Sequence, residues 1–300
     1  MKKDSEILSV AISLDIDPDA NCAVKGRYDA LSSPVEQGGV RMDACKKGLL
    51  KIFELLDTYS LDATLFYEAR TARELVNNGV RLQELSARHE VACHSLKHED
   101  FLGVVSGLPM GDGVIVETVE KAKTILEKIF VREIKGFRSP YTRINRPVIK
   151  ALEQLGFTYD SSETMPLGVE WQGKPFLMTA FDSNLLELAL PSFKDSNGKK
   201  MTSYLWAIFE GKRVSLEYID AVLWAREVAK GGLFIFSMHP WHLYTNYRGI
   251  PFSRERVMEN IKNLDEVFSQ LKQMQGINLI RQDQYLEDWL RREPVGIAKQ

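Results

Sequence analysis

Ile7-Leu8-Ser9-Val10-Ala11-Ile12-Ser13-Leu14-Asp15-Ile16-Asp17 is the stretch that decides the fold. An apolar run from Ile7 to Leu14 is the right length for a buried β-strand and too short to span a membrane. It ends in two acids spaced by two, so both carboxylates project from one face of the strand end. Such acids meet a cation or coat a solvated loop. The same acids, with Asp4 and Glu6 before the run, argue against reading it as the hydrophobic part of a signal peptide.

The pattern repeats outward from this strand. Met42 to Tyr59 carries Leu49, Leu50, Phe53, Leu55 and Leu56 at near-helical spacing, and Ala63 to Tyr67 reads as a second strand. Thr71-Ala-Arg-Glu74 has the form of a capping box that would open the next helix. Glu90–Cys93 predicts a third strand, 114–130 a long helix, 134–137 a fourth strand, 145–155 a helix closed by Gly156, and 157–159 the start of a fifth strand. The stretch 171–204 is less regular and suggests a small β decoration. A helix over 216–229, a strand over 233–238, a helix over 254–274, a strand over 277–280 and a helix to about Arg292 complete the order.

Strands alternating with helices imply a parallel sheet with right-handed crossovers, open and doubly wound or closed into a barrel. No Gly-rich phosphate loop follows the first strand, which disfavours a dinucleotide-binding sheet. The 300 residues carry no repeat or low-complexity linker and are expected to form a single domain, 1–300. With 39 basic against 41 acidic residues and no basic block, nucleic acid is an unexpected partner. No apolar run is long enough for a membrane helix, and the odd count of 3 cysteines (Cys22, Cys45, Cys93) argues against a disulfide framework. These readings predict a cytoplasmic protein, compatible with a homo-oligomer.

The 5 histidines, His89, His94, His98, His239 and His242, are all expected near the C-terminal ends of strands, where α/β active sites are built. In a helical turn His94 and His98 would point the same way and could share a metal ion. Alone, the pair is equally consistent with a helix cap beside an exposed side chain. Joined to the Asp15/Asp17 strand end, it becomes a carboxylate-plus-two-histidine set with coordination positions left open. Arg138, in Phe137-Arg138-Ser139-Pro140-Tyr141, sits where its fork could hold a carboxylate or simply form a structural ion pair. His239, in Ser237-Met238-His239-Pro240-Trp241-His242, is placed to act as a general acid or to cap a helix.

Taken in order, Ser13-Leu14-Asp15-Ile16-Asp17, His94-Ser95-x-x-His98, Arg138-x-Pro140-Tyr141 and Ser237-Met238-His239 resemble the motifs of the polysaccharide deacetylase family, carbohydrate esterase family 4. Many members have adjacent acids followed by glycine in the first motif. The Asp-x-Asp form, with Tyr159-Asp160-Ser161-Ser162, resembles an intracellular branch similar to peptidoglycan deacetylases and allantoinase-like proteins.

The resemblance implies a distorted (β/α) barrel of about seven parallel strands with small β decorations. It implies one divalent metal, zinc first, on Asp17, His94 and His98, with Asp15 as general base, Arg138 orienting Asp15 and His239 as general acid. Asp160 either supports that histidine or ends its strand. Pro140, Tyr141, Trp171 and Trp241 are expected to contact substrate.

The reaction class that the resemblance implies is hydrolysis of a non-peptide C–N amide bond in an N-acetylated amino sugar or oligosaccharide. The alternative is a small linear or cyclic amide, and the cytoplasmic reading favours a short substrate over a long polymer. An inactive barrel serving as a binding protein would lack a triad member. An iron oxygenase could use the same ligand types but gives no role to Asp15, Arg138 and His239.

Overall fold

The computed structural model describes residues 7–18, 25–26, 38–195 and 197–292. Cys22 and the loop that follows the first strand lie largely outside them; Cys45 and Cys93 are free thiols and buried. The chain runs β1 (Leu8–Ile16), α1 (Gly38–Thr58), β2 (Thr64–Tyr67), α2 (Ala69–Asn77), α3 (Leu82–Leu85), β3 (Glu90–Cys93) and α4 (Asp112–Phe130). It continues through β4 (Gly136–Phe137), α5 (Arg146–Gln154), β5 (Tyr159–Asp160), β6 (Thr164–Pro166), β7 (Phe176–Leu177), β8 (Leu186–Glu187), β9 (Leu190–Lys194) and β10 (Lys200–Thr202). Then come α6 (Trp206–Phe209), α7 (Ser215–Val228), β11 (Leu233–Met238), α8 (Arg254–Gln273), β12 (Ile277–Leu279) and α9 (Gln282–Arg292).

The main sheet is ordered β11-β1-β2-β3-β4-β5-β8-β7, with β12 pairing β1 off that path. From β11 to β8 every neighbouring pair is parallel, so the expected seven parallel strands are present, curled into a half-barrel. A second sheet, β10-β9-β6, takes up the decoration read from the irregular middle of the sequence. β9 follows β8 directly in the chain, and beyond β10 the Leu205 N–H donates to the Ser237 carbonyl of β11, the strand at the other edge of the main sheet.

Strand alternation sorts the core. Leu8, Val10, Ile12, Leu14 and Ile16 face the helices, whereas Ala11 packs inside with Phe66, Ala92, Tyr159 and Ile235. Each fully buried aliphatic or aromatic side chain contributes roughly 1.5–3 kcal/mol. By the same alternation Ser9, Ser13 and Asp15 turn inward with Ala11. Tyr285 and Leu286 of α9 join this inner cluster and close the N-terminal end of the strands. No helix among the described residues is long and apolar enough to cross a membrane.

One predicted helix start is corrected. α2 begins at Ala69, so Thr71 lies inside it, and the Thr71 hydroxyl bonds the Glu68 carboxylate instead of capping. The first-turn N–H groups of Ala69 and Arg70 donate to the carbonyls of Ser95 and Leu96, 3.0 and 3.1 Å away. Donors that a capping side chain would otherwise satisfy thereby hold the turn that carries the two site histidines.

Candidate metal centre and active site

β1 delivers Asp15 within the strand and Asp17 just past its end, 2 % and 0 % exposed. β3 delivers His94 and His98 through a tight turn. The turn is not helical, as the four-residue spacing suggested, because Ser95 and His98 take left-handed φ values of 66° and 57°. It is fixed from within by Glu99, whose carboxylate accepts the N–H groups of Leu96 and Lys97, and by Ser95 Oγ, which accepts that of His98 at 3.1 Å. Left-handed non-glycine residues recur at Tyr141 and Thr142 in the neighbouring loop. Such conformations cost energy and persist where surrounding bonds dictate them, as they do around functional sites.

Asp17, His94 and His98 each offer a ligand atom, all within 4.8 Å of one another. The His94 Nδ1–H donates to the Arg138 carbonyl at 2.8 Å, which leaves its Nε2 lone pair turned toward Asp17 Oδ2 at 3.7 Å. A second-ring hydrogen bond of this kind sets the tautomer a metal ligand needs. Burial lowers the His94 pKa and favours the neutral, ligating form. Burial opposes ionisation of Asp17, but His239, His98 and His94 outweigh it and hold the carboxyl well below the usual carboxylate range. A buried carboxylate beside two imidazoles, which lose their protons when they ligate, is the donor set a divalent ion of zinc type takes, so these residues fit the group.

Arg138 is fully buried behind this triad. Its Nη1 donates to Asp15 Oδ1 at 2.7 Å and to the hydroxyls of Ser13 and Ser237, both at 3.0 Å. Nε and Nη2 donate to the carbonyl and hydroxyl of Ser161, at 2.8 and 3.0 Å, and the guanidinium lies 4.1 Å over the Phe66 ring. Burial alone would raise the Asp15 pKa; Arg138, His94 and His239 lower it further than burial raises it. The three serines stand in the quoted motifs but are given no role there, although each interrupts an apolar strand or follows one. Their small side chains leave room for the guanidinium and satisfy the donors that a single carboxylate cannot.

His239 follows β11, and its Nε2 lies 3.2 Å from Asp17 Oδ2. Its ring stacks on Trp241 at 5.2 Å, and its Nδ1 is hydrogen-bonded by the Tyr204 hydroxyl, another residue sequence reasoning passed over. Tyr141 meets His98 edge-on at 4.6 Å, with Pro140 buried beside it at the start of the same turn. Glu68, between β2 and α2, is also fully buried, and burial with Asp17 and Glu99 nearby pushes its carboxyl up to about 8.

Four expectations are corrected. His89 precedes β3, at the opposite end of the strands, where its Nδ1 accepts the Ala63 N–H at 3.1 Å. Trp171 also lies at that end: Gly173, two residues on, accepts the Leu233 N–H at the start of β11. Trp241 is 2 % exposed and sandwiched between His239 and His242, so it backs the acid and offers substrate no open face. Of the two readings of Asp160, support of His239 gives way to the other: it is the last residue of β5, bonded by the Ser162 hydroxyl and paired across strands with Glu187. It sits one residue out of phase with the inward-facing Tyr159 and Ser161, so alternation turns it away from the barrel interior.

Inward acids on one strand end, a two-histidine turn on another, a buried arginine from a third and a histidine from a fourth stand together in a (β/α) half-barrel around three residues that could hold a metal ion. Residues 43–159 match the polysaccharide deacetylase family model. That segment, from within α1 to β5, is thus similar in sequence to the polysaccharide deacetylases. The matched segment holds His94, His98 and Arg138; Asp15, Asp17 and His239 are supplied by β1 and β11 outside it.

Among solved structures, the chain is similar to a protein of Mycobacterium smegmatis assigned to the polysaccharide deacetylases, with 17% identity, TM-score 0.71, and 97% of this chain and 92% of that one covered. It is similar also to Puue allantoinase, with 14% identity, TM-score 0.67, and coverage of 97% and 93%. A carbohydrate esterase family 4 pseudoenzyme from Bacillus anthracis gives 13% identity, TM-score 0.51, and coverage of 93% and 65%. At these identities the likeness is one of fold. No curated protein sequence matches the chain.

Proposed function

We propose that the protein is a metal-dependent hydrolase of non-peptide amide C–N bonds acting on a short N-acylated amino sugar or another small amide. The observation that carries this reading is the convergence of Asp17, His94 and His98 ligand atoms within 4.8 Å, beside an Asp15 held by Arg138 at 2.7 Å. Asp17, His94 and His98 would hold one divalent ion, zinc first, which when bound supplies Lewis acidity for polarising the amide carbonyl and acidifying a water.

The chain's own residues perform the proton transfers. Asp15, ionised beside Arg138, takes a proton from the attacking water at the oxygen not engaged by the guanidinium. Arg138 keeps that carboxylate oriented and charged. His239 gives the Nε2 proton to the departing nitrogen, which leaves as an amine because an amide anion is too basic to be expelled. Tyr141, edge-on to His98, is placed to meet the substrate at the rim.

Within the class, burial supports a small substrate: Asp17, His94 and His98 are all under 5 % exposed. An acyl group on a chain end or a compact ring reaches such a centre more readily than an inner unit of a long polymer. The allantoinase likeness adds a cyclic-amide reading of the same chemistry. The test is turnover by zinc-loaded protein of short N-acetylated sugars, cyclic amides and a polymeric glycan, side by side. Hydrolysis of a short amide that is lost on chelation and restored by metal is expected. Turnover of the polymer alone would remove the small-substrate reading, and zinc-loaded protein inert on every amide would remove the hydrolase reading.

A further inference from the structure

We infer that Tyr204 is the positioning residue for His239, holding Nδ1 so that Nε2 faces the metal triad and the leaving nitrogen; this rests on the hydrolase reading above. The Tyr204 hydroxyl bonds His239 Nδ1 and lies 3.2 Å from Nε2, which is itself 3.2 Å from Asp17 Oδ2. Trp241 stacks on the ring at 5.2 Å with 29° between planes, so the imidazole is fixed both in its plane and across it.

Tyr204 is itself held. It bridges Ser237 in parallel, Leu205 N–H donates to the Ser237 carbonyl at 2.9 Å, and the buried Tyr218 hydroxyl donates to the Tyr204 carbonyl at 3.0 Å. The segment that closes the half-barrel therefore carries the residue that orients the acid, and Asp160 takes no part.

A phenol suits this place for a physical reason. Its oxygen can accept Nδ1–H both from the imidazolium and from the neutral ring left after Nε2 has given up its proton, without moving. It also brings no further negative charge beside Asp15 and Asp17. In the step it serves, the amide C–N electron pair passes to nitrogen, the His239 Nε2–H bond breaks, and a new N–H bond forms on the amine. His239 is left neutral with Nδ1–H on the Tyr204 oxygen, and the proton Asp15 took from water restores the imidazolium through solvent. The sum is amide plus water giving carboxylic acid plus amine.

The test is Tyr204→Phe in the zinc-loaded protein, which removes one oxygen and keeps the ring. On an N-acetylated amine substrate we expect kcat to fall about tenfold or more with KM little changed. On p-nitrophenyl acetate, whose phenolate departs without protonation, turnover should stay within about twofold, because no general acid is needed. Zinc content should be unchanged. Nitrogen-15 NMR of His239, recorded at a pH where the ring is neutral, should report the Nδ1–H tautomer in the parent protein and a mixture in the variant. Equal loss on both substrates would mark a structural role and overturn the inference, as would an unchanged amide kcat or an unchanged tautomer. A parent protein that hydrolyses neither substrate would sink the hydrolase reading instead, with the NMR comparison still deciding the geometry.

Discussion

The two ends of the half-barrel bury the same kinds of ionisable residue and treat them in opposite ways. At the C-terminal end, Asp15 meets a guanidinium and Asp17 faces three imidazoles, so both carboxyls are held below their ordinary range despite full burial. At the N-terminal end, Glu90 is also buried but is hydrogen-bonded by neutral donors, the hydroxyls of Thr64 and Tyr159, at 2.7 and 2.6 Å, and the N–H of Asp283 at 3.0 Å, while the Arg281 guanidinium nearby is paired with Asp283. Burial there wins, helped by the nearby Asp283 charge, and the Glu90 carboxyl is pushed up to about 7. His89 at the same end is lowered to about 4 by burial and stays a neutral acceptor. Burial alone thus makes a carboxyl a structural acid; burial with cations keeps it an anion ready to bind metal or take a proton.

The contrast is broken most severely at Arg138. Replacing it by Leu leaves Asp15 buried without its counter-ion and strips partners from three serines, so Arg138→Leu should cost about 3–5 kcal/mol of stability in urea unfolding. A loss below about 1 kcal/mol would mean that the serine layer and water carry Asp15 unaided.

Asp15→Asn is the next probe in size. The amide oxygen still accepts from Arg138, so the fold and zinc stoichiometry should survive, while turnover of the amide substrate falls roughly 10²-fold or more. Retained turnover would take Asp15 out of the proton transfer, and lost zinc would mean that it helps to hold the ion.

Much of this end of the molecule was legible in the sequence because period and residue type coincide there. Asp15 and Asp17 announce themselves by ending an apolar strand at a spacing of two. Glu90–Cys93 and Leu233–Met238 emerge as strands with the bounds their apolar runs suggested. What stayed hidden depends on partners distant in the chain. Ser13, Ser161 and Ser237 look like ordinary interruptions until Arg138 arrives from another strand. Tyr204 lies in an irregular stretch with no period to read, and it meets His239 only because that segment closes the barrel. Trp171 misled for the complementary reason: an aromatic residue in a loop carries no mark of which end of the strands it will join. For Asp160 a mark did exist, since inward-facing Tyr159 and Ser161 flank it and put it on the other face.

The smallest effect is expected at the opposite end, and its sign is opposite too. A carboxyl whose folded pKa of about 7 exceeds its ordinary 4.5 binds more protons in the folded than in the unfolded chain between those pH values. Glu90 therefore favours folding fully below the unfolded value, and that contribution is lost as pH rises toward 7. Asp15 and Asp17 contribute in the reverse sense, losing stability as pH falls, so the two ends pull the stability profile in different directions. Glu90→Gln isolates the lower end. Its amide oxygen can accept from Thr64 and the Asp283 N–H, and its amide nitrogen can donate to the Tyr159 hydroxyl oxygen, which keeps the network while removing the charge. Above pH 7 the variant should be more stable than the parent by on the order of 1 kcal/mol, a modest gain because three donors already favour the carboxylate. Below pH 5 the difference should vanish. Urea midpoints measured from pH 4.5 to 8.5 decide the matter: parallel profiles for the two proteins would mean that Glu90 is already ionised at the low end of that range, and that burial at this end does not outweigh its hydrogen bonds.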